Sequence, residues 1–223
     1  MCGRYTLAAN AEELVEAFGI PLPTFELVPR YNIAPSQLAP VVAADRHGRR
    51  VGLLTWGLVP GWADEPGPGM INARVESAAE KPSFREALDR RRCLVPANGF
   101  YEWKRVNGGK IPHWIHPTAG GVIAFAGIWE RWSRPGAEPR HTFAILTTKA
   151  NADVAPLHDR MPVIVPAESR DAWLDRARDG AGALAPLEAS PRGVLTSYAV
   201  SPRVNRPAED DADLIRPAGE VVD

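Results

Sequence analysis

The sequence predicts an α+β protein: a single domain, residues 1–223, on a strongly curved, barrel-like and mainly antiparallel sheet with a few short peripheral helices. Three observations carry this. Many short strand-like runs are bounded by Pro and Gly, helical spacing is confined to short scattered segments, and the two never alternate as the βαβ units of a parallel sheet. The chain's 223 residues can bury one core without disulfide staples.

The elements follow in order. Asn10 and Glu13 form a capping-box pattern, and Leu14, Val15 and Phe18 recur at helical spacing, which predicts a helix over Ala11–Phe18 ended by Pro21 and Pro23. Strands are predicted at Pro40–Ala44, Arg50–Trp56, Arg92–Pro96, Gly99–Lys104, Val122–Trp129, His141–Thr147, Pro162–Val165 and Val194–Val200. Asn98-Gly99 is a tight-turn signal and predicts a hairpin over Pro96–Lys104. Short helices are expected at Pro82–Arg90, Asn151–Leu157 and Glu168–Arg178. The Gly-, Pro- and Trp-rich stretch from Trp56 to Gly69 reads as an ordered loop with exposed aromatic surface, or alternatively as a loop whose Trp56 and Trp62 plug the core. The acidic tail from Pro207 is expected to be loose after about residue 216.

Composition narrows the function. A net charge of −1 argues against a protein that coats nucleic acid by bulk electrostatics, but leaves room for a local basic groove. Arg90-Arg91-Arg92 reads as a solvated helix end. The two cysteines, Cys2 and Cys93, build neither a disulfide framework nor a zinc set, and Cys93 sits in an apolar run that suits a core position. The histidines are scattered, without metal-ligand spacing, and phosphate-loop and dinucleotide fingerprints are absent, so no metal and no cofactor are expected. With no signal or membrane-spanning pattern, a soluble, cytoplasmic protein is expected.

Cys2 is the most informative residue. If Met1 is removed, the chain begins with a free 1,2-aminothiol, whose α-amine has a reference pKa of about 8. An aldehyde is the natural electrophile for that pair, because the amine forms an imine and the adjacent thiol closes a five-membered thiazolidine ring. Four further motifs carry polar groups among apolar neighbours. In Asn72-Ala73-Arg74, an extended stretch would put the amide and the guanidinium on one face, the first able to position an amine and the second to grip a phosphate. Glu102 falls among Phe100, Tyr101 and Trp103, a setting that would raise its carboxyl pKa, although a cross-strand charge pair is an equal reading. His158, in Leu157-His158-Asp159-Arg160, could exchange protons or simply satisfy a backbone carbonyl. Val200–Asn205 reads either as a loop returning polar groups to a site or as a plain turn.

Together, Cys2-Gly3-Arg4-Tyr5, Arg30–Pro35, Trp56–Pro60, Asn72-Ala73-Arg74, Gly99–Trp103, His158–Pro162, Val200-Ser201 and Val204-Asn205 resemble the SOS response-associated peptidase (SRAP) family. The resemblance implies a protein of bacterial origin that shields abasic sites in single-stranded DNA during the damage response by a covalent thiazolidine crosslink, with a lyase- or peptidase-type activity that could extend to its own N-terminus. It implies Cys2 as nucleophile, Asn72 as the group that orients it, Glu102 as acid/base and His158 as a second proton donor. It also implies DNA contacts by Arg4, Arg74, Trp103 and Arg160, with Pro35 and Trp62 as a wedge. A monomer, associated with the nucleoid when bound to DNA, is expected. Two alternatives stay open: an N-terminal-nucleophile amidohydrolase of the glutaminase kind with an oxyanion hole from Asn98 and Gly99, and a non-covalent single-stranded DNA binder.

Overall fold

The computed structural model describes residues 2–187 and 192–219. Two sheets face each other. The first has the spatial order β12 (Leu195–Ala199), β8 (Gly109–Pro117), β7 (Gly99–Val106), β1 (Tyr5–Leu7), β2 (Arg30–Ile33), with every pairing antiparallel. The second runs β11 (Arg160–Pro162), β10 (Arg140–Lys149), β4 (Gly48–Trp56), β3 (Leu38–Asp45), β6 (Arg92–Ala97), β9 (Ile123–Trp132). There β9 returns to pair with β10, which makes the sheet ring-like without forming a true barrel. The mainly antiparallel α+β class is as expected. The parallel pairs are those of β10 with β4 and with β5 (Asn72–Arg74).

Aromatic side chains from the two inner faces form the middle of the core. Tyr5 meets Trp56 edge-on at 5.2 Å between ring centroids, and Phe100 meets Phe125 at 5.9 Å. All four are fully buried, so truncating one to Ala would cost about 3–5 kcal/mol.

Strand β10 is the ruler that positions the site. Thr142 and Phe143 pair with both β9 and β4, which must therefore lie on opposite edges. By the same argument Thr147 holds Arg74 of β5 on one edge and Pro162 of β11 on the other. The Asn72 and His158–Arg160 segments thus flank the C-terminal half of one strand.

Helix α1 (Ala11–Phe18) forms with the expected capping box, Asn10 accepting from Glu13 N–H at 2.8 Å while Glu13 caps the Asn10 N–H, and Gly19 ends it in the left-handed region. The remaining helices are α2 (Val75–Ala78), α3 (Arg85–Arg90), α4 (Arg170–Leu174) and α5 (Gly180–Leu184). Of these, α3 is shorter at its start than the expected Pro82–Arg90, and the expected Glu168–Arg178 helix stops at Leu174. Arg92 explains that stop. It is 5% exposed, and its guanidinium donates to the carbonyls of Leu88, Asp89, Trp173, Asp175 and Arg178, capping two helix ends at once. The Arg90–Arg92 run is therefore not a solvated helix end, since Arg91 also pairs with Glu86 and Glu130. Asn151–Leu157 forms turns rather than a helix: Asn151 caps the N–H groups of Asp153 and Val154, and Pro156 removes a donor.

Asn98-Gly99 does not form a hairpin. β6 and β7 belong to different sheets, and Asn98 is the corner between them, its Oδ1 accepting from Ala8 N–H at 2.6 Å and its Nδ2 donating to Gly121 O at 3.2 Å. Gly99 is required by proximity, because a Cβ there would stand 2.6 Å from Trp114 Nε1 and Ile115 O. The hairpin belongs to the second Asn-Gly, Asn107-Gly108, which joins β7 to β8 with Gly108 at φ 91°. Near the end of the chain, Asp210 accepts from Tyr31 and Asn32 N–H, Leu214 is buried, and Pro217 bridges Val200, so the tail is held through Ala218; residues 220–223 lie outside the described residues.

Candidate functional site

Strand β1 delivers Cys2. Its ladder with β7 pairs Tyr5 with Phe100 and extends through Tyr101 N–H to Arg4 O at 3.0 Å, which brings the residues before Tyr5 alongside Glu102. Asn72 reaches over from β5 and donates from Nδ2 to Cys2 O at 2.8 Å. Its own Oδ1 is buried and accepts no hydrogen bond among the described residues. As the spacing suggested, Asn72–Arg74 is extended, with Ala73 buried between an inward-leaning Asn72 and an exposed Arg74.

The start of the chain is enclosed rather than exposed. Cys2 is fully buried, and burial, followed by the charge of Glu102, pushes its thiol far above the usual range. Glu102 is itself only 3% exposed; burial raises its carboxyl, while the charge of His158 draws it back down. Thiol, carboxyl and imidazole therefore sense one another across three distant stretches of sequence. Their fields link Cys2 to Glu102 and Glu102 to His158.

His158 is half-buried and oriented by its neighbours. Its Nδ1 accepts from Arg160 N–H at 2.9 Å, which leaves the neutral ring's proton on Nε2. The same Nδ1 lies 2.9 Å from Asp159 Oδ1.

The other expected contact residues are spread more widely. Arg160 is tied down, bidentate to Glu76 at 2.5 and 2.9 Å and donating to Thr147 O at 2.5 Å. Arg4 is half-buried against Gly3 O. Trp103 is half-buried and donates from Nε1 to Asn205 Oδ1 at 2.8 Å, so the Val200–Asn205 loop does return a polar group to the site. Pro35 sits in a tight turn, where Ser36 adopts a φ of 69°, and Trp62 is 61% exposed; Trp56, by contrast, is fully buried and donates to Ile71 O. Neither Pro35 nor Trp62 lines the cavity that holds Glu102 and His158. That cavity, of about 620 Å³, is also walled by Trp103, Arg105, Lys110 and Asp159.

Sequence reasoning missed Arg105 and Lys110. The second Asn-Gly turn, with a cation set symmetrically on each flank, was the available signal.

Asn98 and Gly99 cannot supply the oxyanion hole of the amidohydrolase alternative. Asn98 N–H is spent on Thr6 O at 2.8 Å, its side chain is spent on the corner, and Gly99 is packed under Trp114.

Residues 1–207 match the family described as SOS response associated peptidase (SRAP). The chain belongs to the SRAP family. Among its SRAP relatives, the abasic site processing protein YoqW of Bacillus subtilis is 41% identical over 96% of this chain and 99% of its own, and the abasic site processing protein YoaM of the same organism is 39% identical over 96% and 97%. In fold, this SRAP chain is similar to a crystal structure of a protein from Bacteroides thetaiotaomicron, with a TM-score of 0.88 and 25% identity over 97% of this chain and 100% of that one.

Proposed function

We propose that this protein recognises abasic sites in single-stranded DNA and, after loss of Met1, captures the sugar aldehyde as a thiazolidine on Cys2. The names of its relatives as abasic site processing proteins support the substrate. The observation that carries the chemistry is the convergence on Cys2 of Asn72, bonded to its carbonyl, and Glu102, whose charge its thiol feels.

The burial of the thiol sets the order of events. A thiol pushed far up is a poor first nucleophile, so the α-amine attacks the ring-opened C1 aldehyde and water leaves to give an imine. The thiol sulfur then adds to the imine carbon while its proton passes to the nitrogen, and the ring closes with the net loss of one water. Glu102, its carboxyl raised above the ordinary carboxylate range by burial, moves protons during sugar opening and dehydration, and His158 assists. Arg74 is free to meet a phosphate, whereas Arg160 must first exchange Glu76 for one. Arg4 and Trp103 line the approach, and Pro35 and Trp62 act farther out, against flanking duplex. Any peptidase action is on the chain's own N-terminus.

Intact-mass measurement after incubation with an abasic oligonucleotide tests this reading. The expected product is the Met1-free protein plus the oligonucleotide minus one water, with none from a tetrahydrofuran-containing oligonucleotide that has no aldehyde. A product of equal yield from both would sink the proposal.

A further inference from the structure

The tip of the β7–β8 hairpin carries an electrostatic cost that the fold does not need. Arg105 and Lys110 are directly opposite cross-strand partners, so their side chains share one face. Like charges in that arrangement are destabilising. Both residues are exposed, and among the described residues neither forms an ion pair that would relieve the repulsion. The turn between them, Asn107-Gly108, is built to hold the strands in register, which fixes the two cations side by side.

Their position gives the cost a use. Both line the cavity that contains Glu102 and His158, and Trp103, two residues before Arg105 on the same strand face, lines it as well. The indole N–H of Trp103 is committed to Asn205, whose turn is anchored by the fully buried Val204, so the ring is held in one orientation. A fixed aromatic ring beside two uncompensated cations matches the two chemistries of a nucleotide, a base face and a phosphodiester. Asp159, which lines the same cavity, has its Oδ1 2.9 Å from His158 Nδ1.

We infer that the β7–β8 hairpin tip is a phosphodiester subsite, in which Arg105 and Lys110 hold the single-stranded backbone where it leaves the catalytic cavity across Trp103, on a wall that Arg74 does not line. The subsite rests on the DNA-binding reading above and extends it to a named stretch of the strand. Because the cations repel each other in the free protein, an anion between them relieves the strain, and binding and folding pull in opposite directions at this one place.

The test is the double variant Arg105→Gln, Lys110→Gln, measured on an unmodified oligothymidylate so that no covalent step intervenes. The expected result is a melting temperature equal to or above that of the parent, together with weaker binding and a log–log salt slope shallower by about 1.4, at about 0.7 per phosphate contact on a single strand. Each single variant accounts for about half of that change. An unchanged salt slope overturns the subsite, whatever happens to the melting temperature. A parent protein that forms no adduct would defeat the proposed function while leaving the salt comparison readable.

Discussion

The two cysteines have the same burial and opposite company. Cys2 and Cys93 are each fully buried, and burial pushes both thiols far above their usual range. Around Cys93 the surroundings are apolar packing; a Cβ added at Gly127 would stand 2.8 Å from its sulfur, and desolvation alone accounts for its shift. Around Cys2 stand a carboxyl, an amide on its own carbonyl and, one step on, an imidazole. Burial therefore does not tell the two cysteines apart; the polar groups that share the enclosure of Cys2 do.

The sharpest way to break this contrast is Cys2→Ala, which is expected to abolish the heat-stable adduct with abasic single-stranded DNA on a denaturing gel. Residual adduct at the parent's level would remove the thiol from the trapping step. Next is Glu102→Gln, expected to slow adduct formation by about 10²-fold in a single-turnover time course, the usual scale for an acid/base group. The same variant carries a stability signature. A carboxyl raised by burial binds its proton more tightly folded than unfolded, so its contribution is full below the ordinary carboxylate range and is lost as pH rises through the folded value. Glu102→Gln should thus melt higher than the parent at neutral pH, and the gap should close on acidification. A gap that widens in acid would mean that Glu102 is held as a stabilised carboxylate.

Asn72→Ala should slow the adduct about tenfold, the equivalent of roughly 1–1.5 kcal/mol for one positioning hydrogen bond, and a rate equal to the parent's would reduce that bond to scaffolding. The smallest effect on chemistry belongs to Cys93→Ala. It should lower stability by about 1–2 kcal/mol through the gap it leaves, seen in urea unfolding, and leave the adduct rate unchanged. A slowed adduct there would erase the distinction between the two cysteines.

The legible parts of the fold were those encoded in neighbouring residues. Helix α1 could be read because its cap, its periodicity and its terminating glycine lie within one short stretch. The long strands β3, β4, β9 and β10 could be read because each carries a local cluster of β-branched, aliphatic or aromatic residues bounded by turn residues. By contrast, β1, β2 and β5 are only three or four residues long and exist because a partner strand recruits them. β8 was hidden by its two prolines; Pro112 is tolerated where β12 has ended, Ala199 pairing with His113 just before it. The strand expected at Pro162–Val165 begins earlier, as Arg160–Pro162 against β10, and beyond it Val163 still donates to Leu146 O while Ile164 bridges Phe125 of β9. The two Asn-Gly pairs show the same limit. Each satisfies the hairpin rule locally, and only the assignment of β6 and β7 to different sheets decides which one becomes the hairpin.

By itself, the sequence determined the chemical kinds of the site: a cysteine at position 2, a carboxyl among aromatics, an amide in an extended stretch and a histidine before an apolar strand. The tertiary structure alone decided which arginines are spent on the fold, as Arg92 and Arg160 are, and which cations stand beside the cavity without an ion pair among the described residues, as Arg105 and Lys110 do. The reason is physical. What a side chain can do follows from its covalent structure, but whether it is free to do so depends on the carbonyls and carboxylates brought against it from remote parts of the chain.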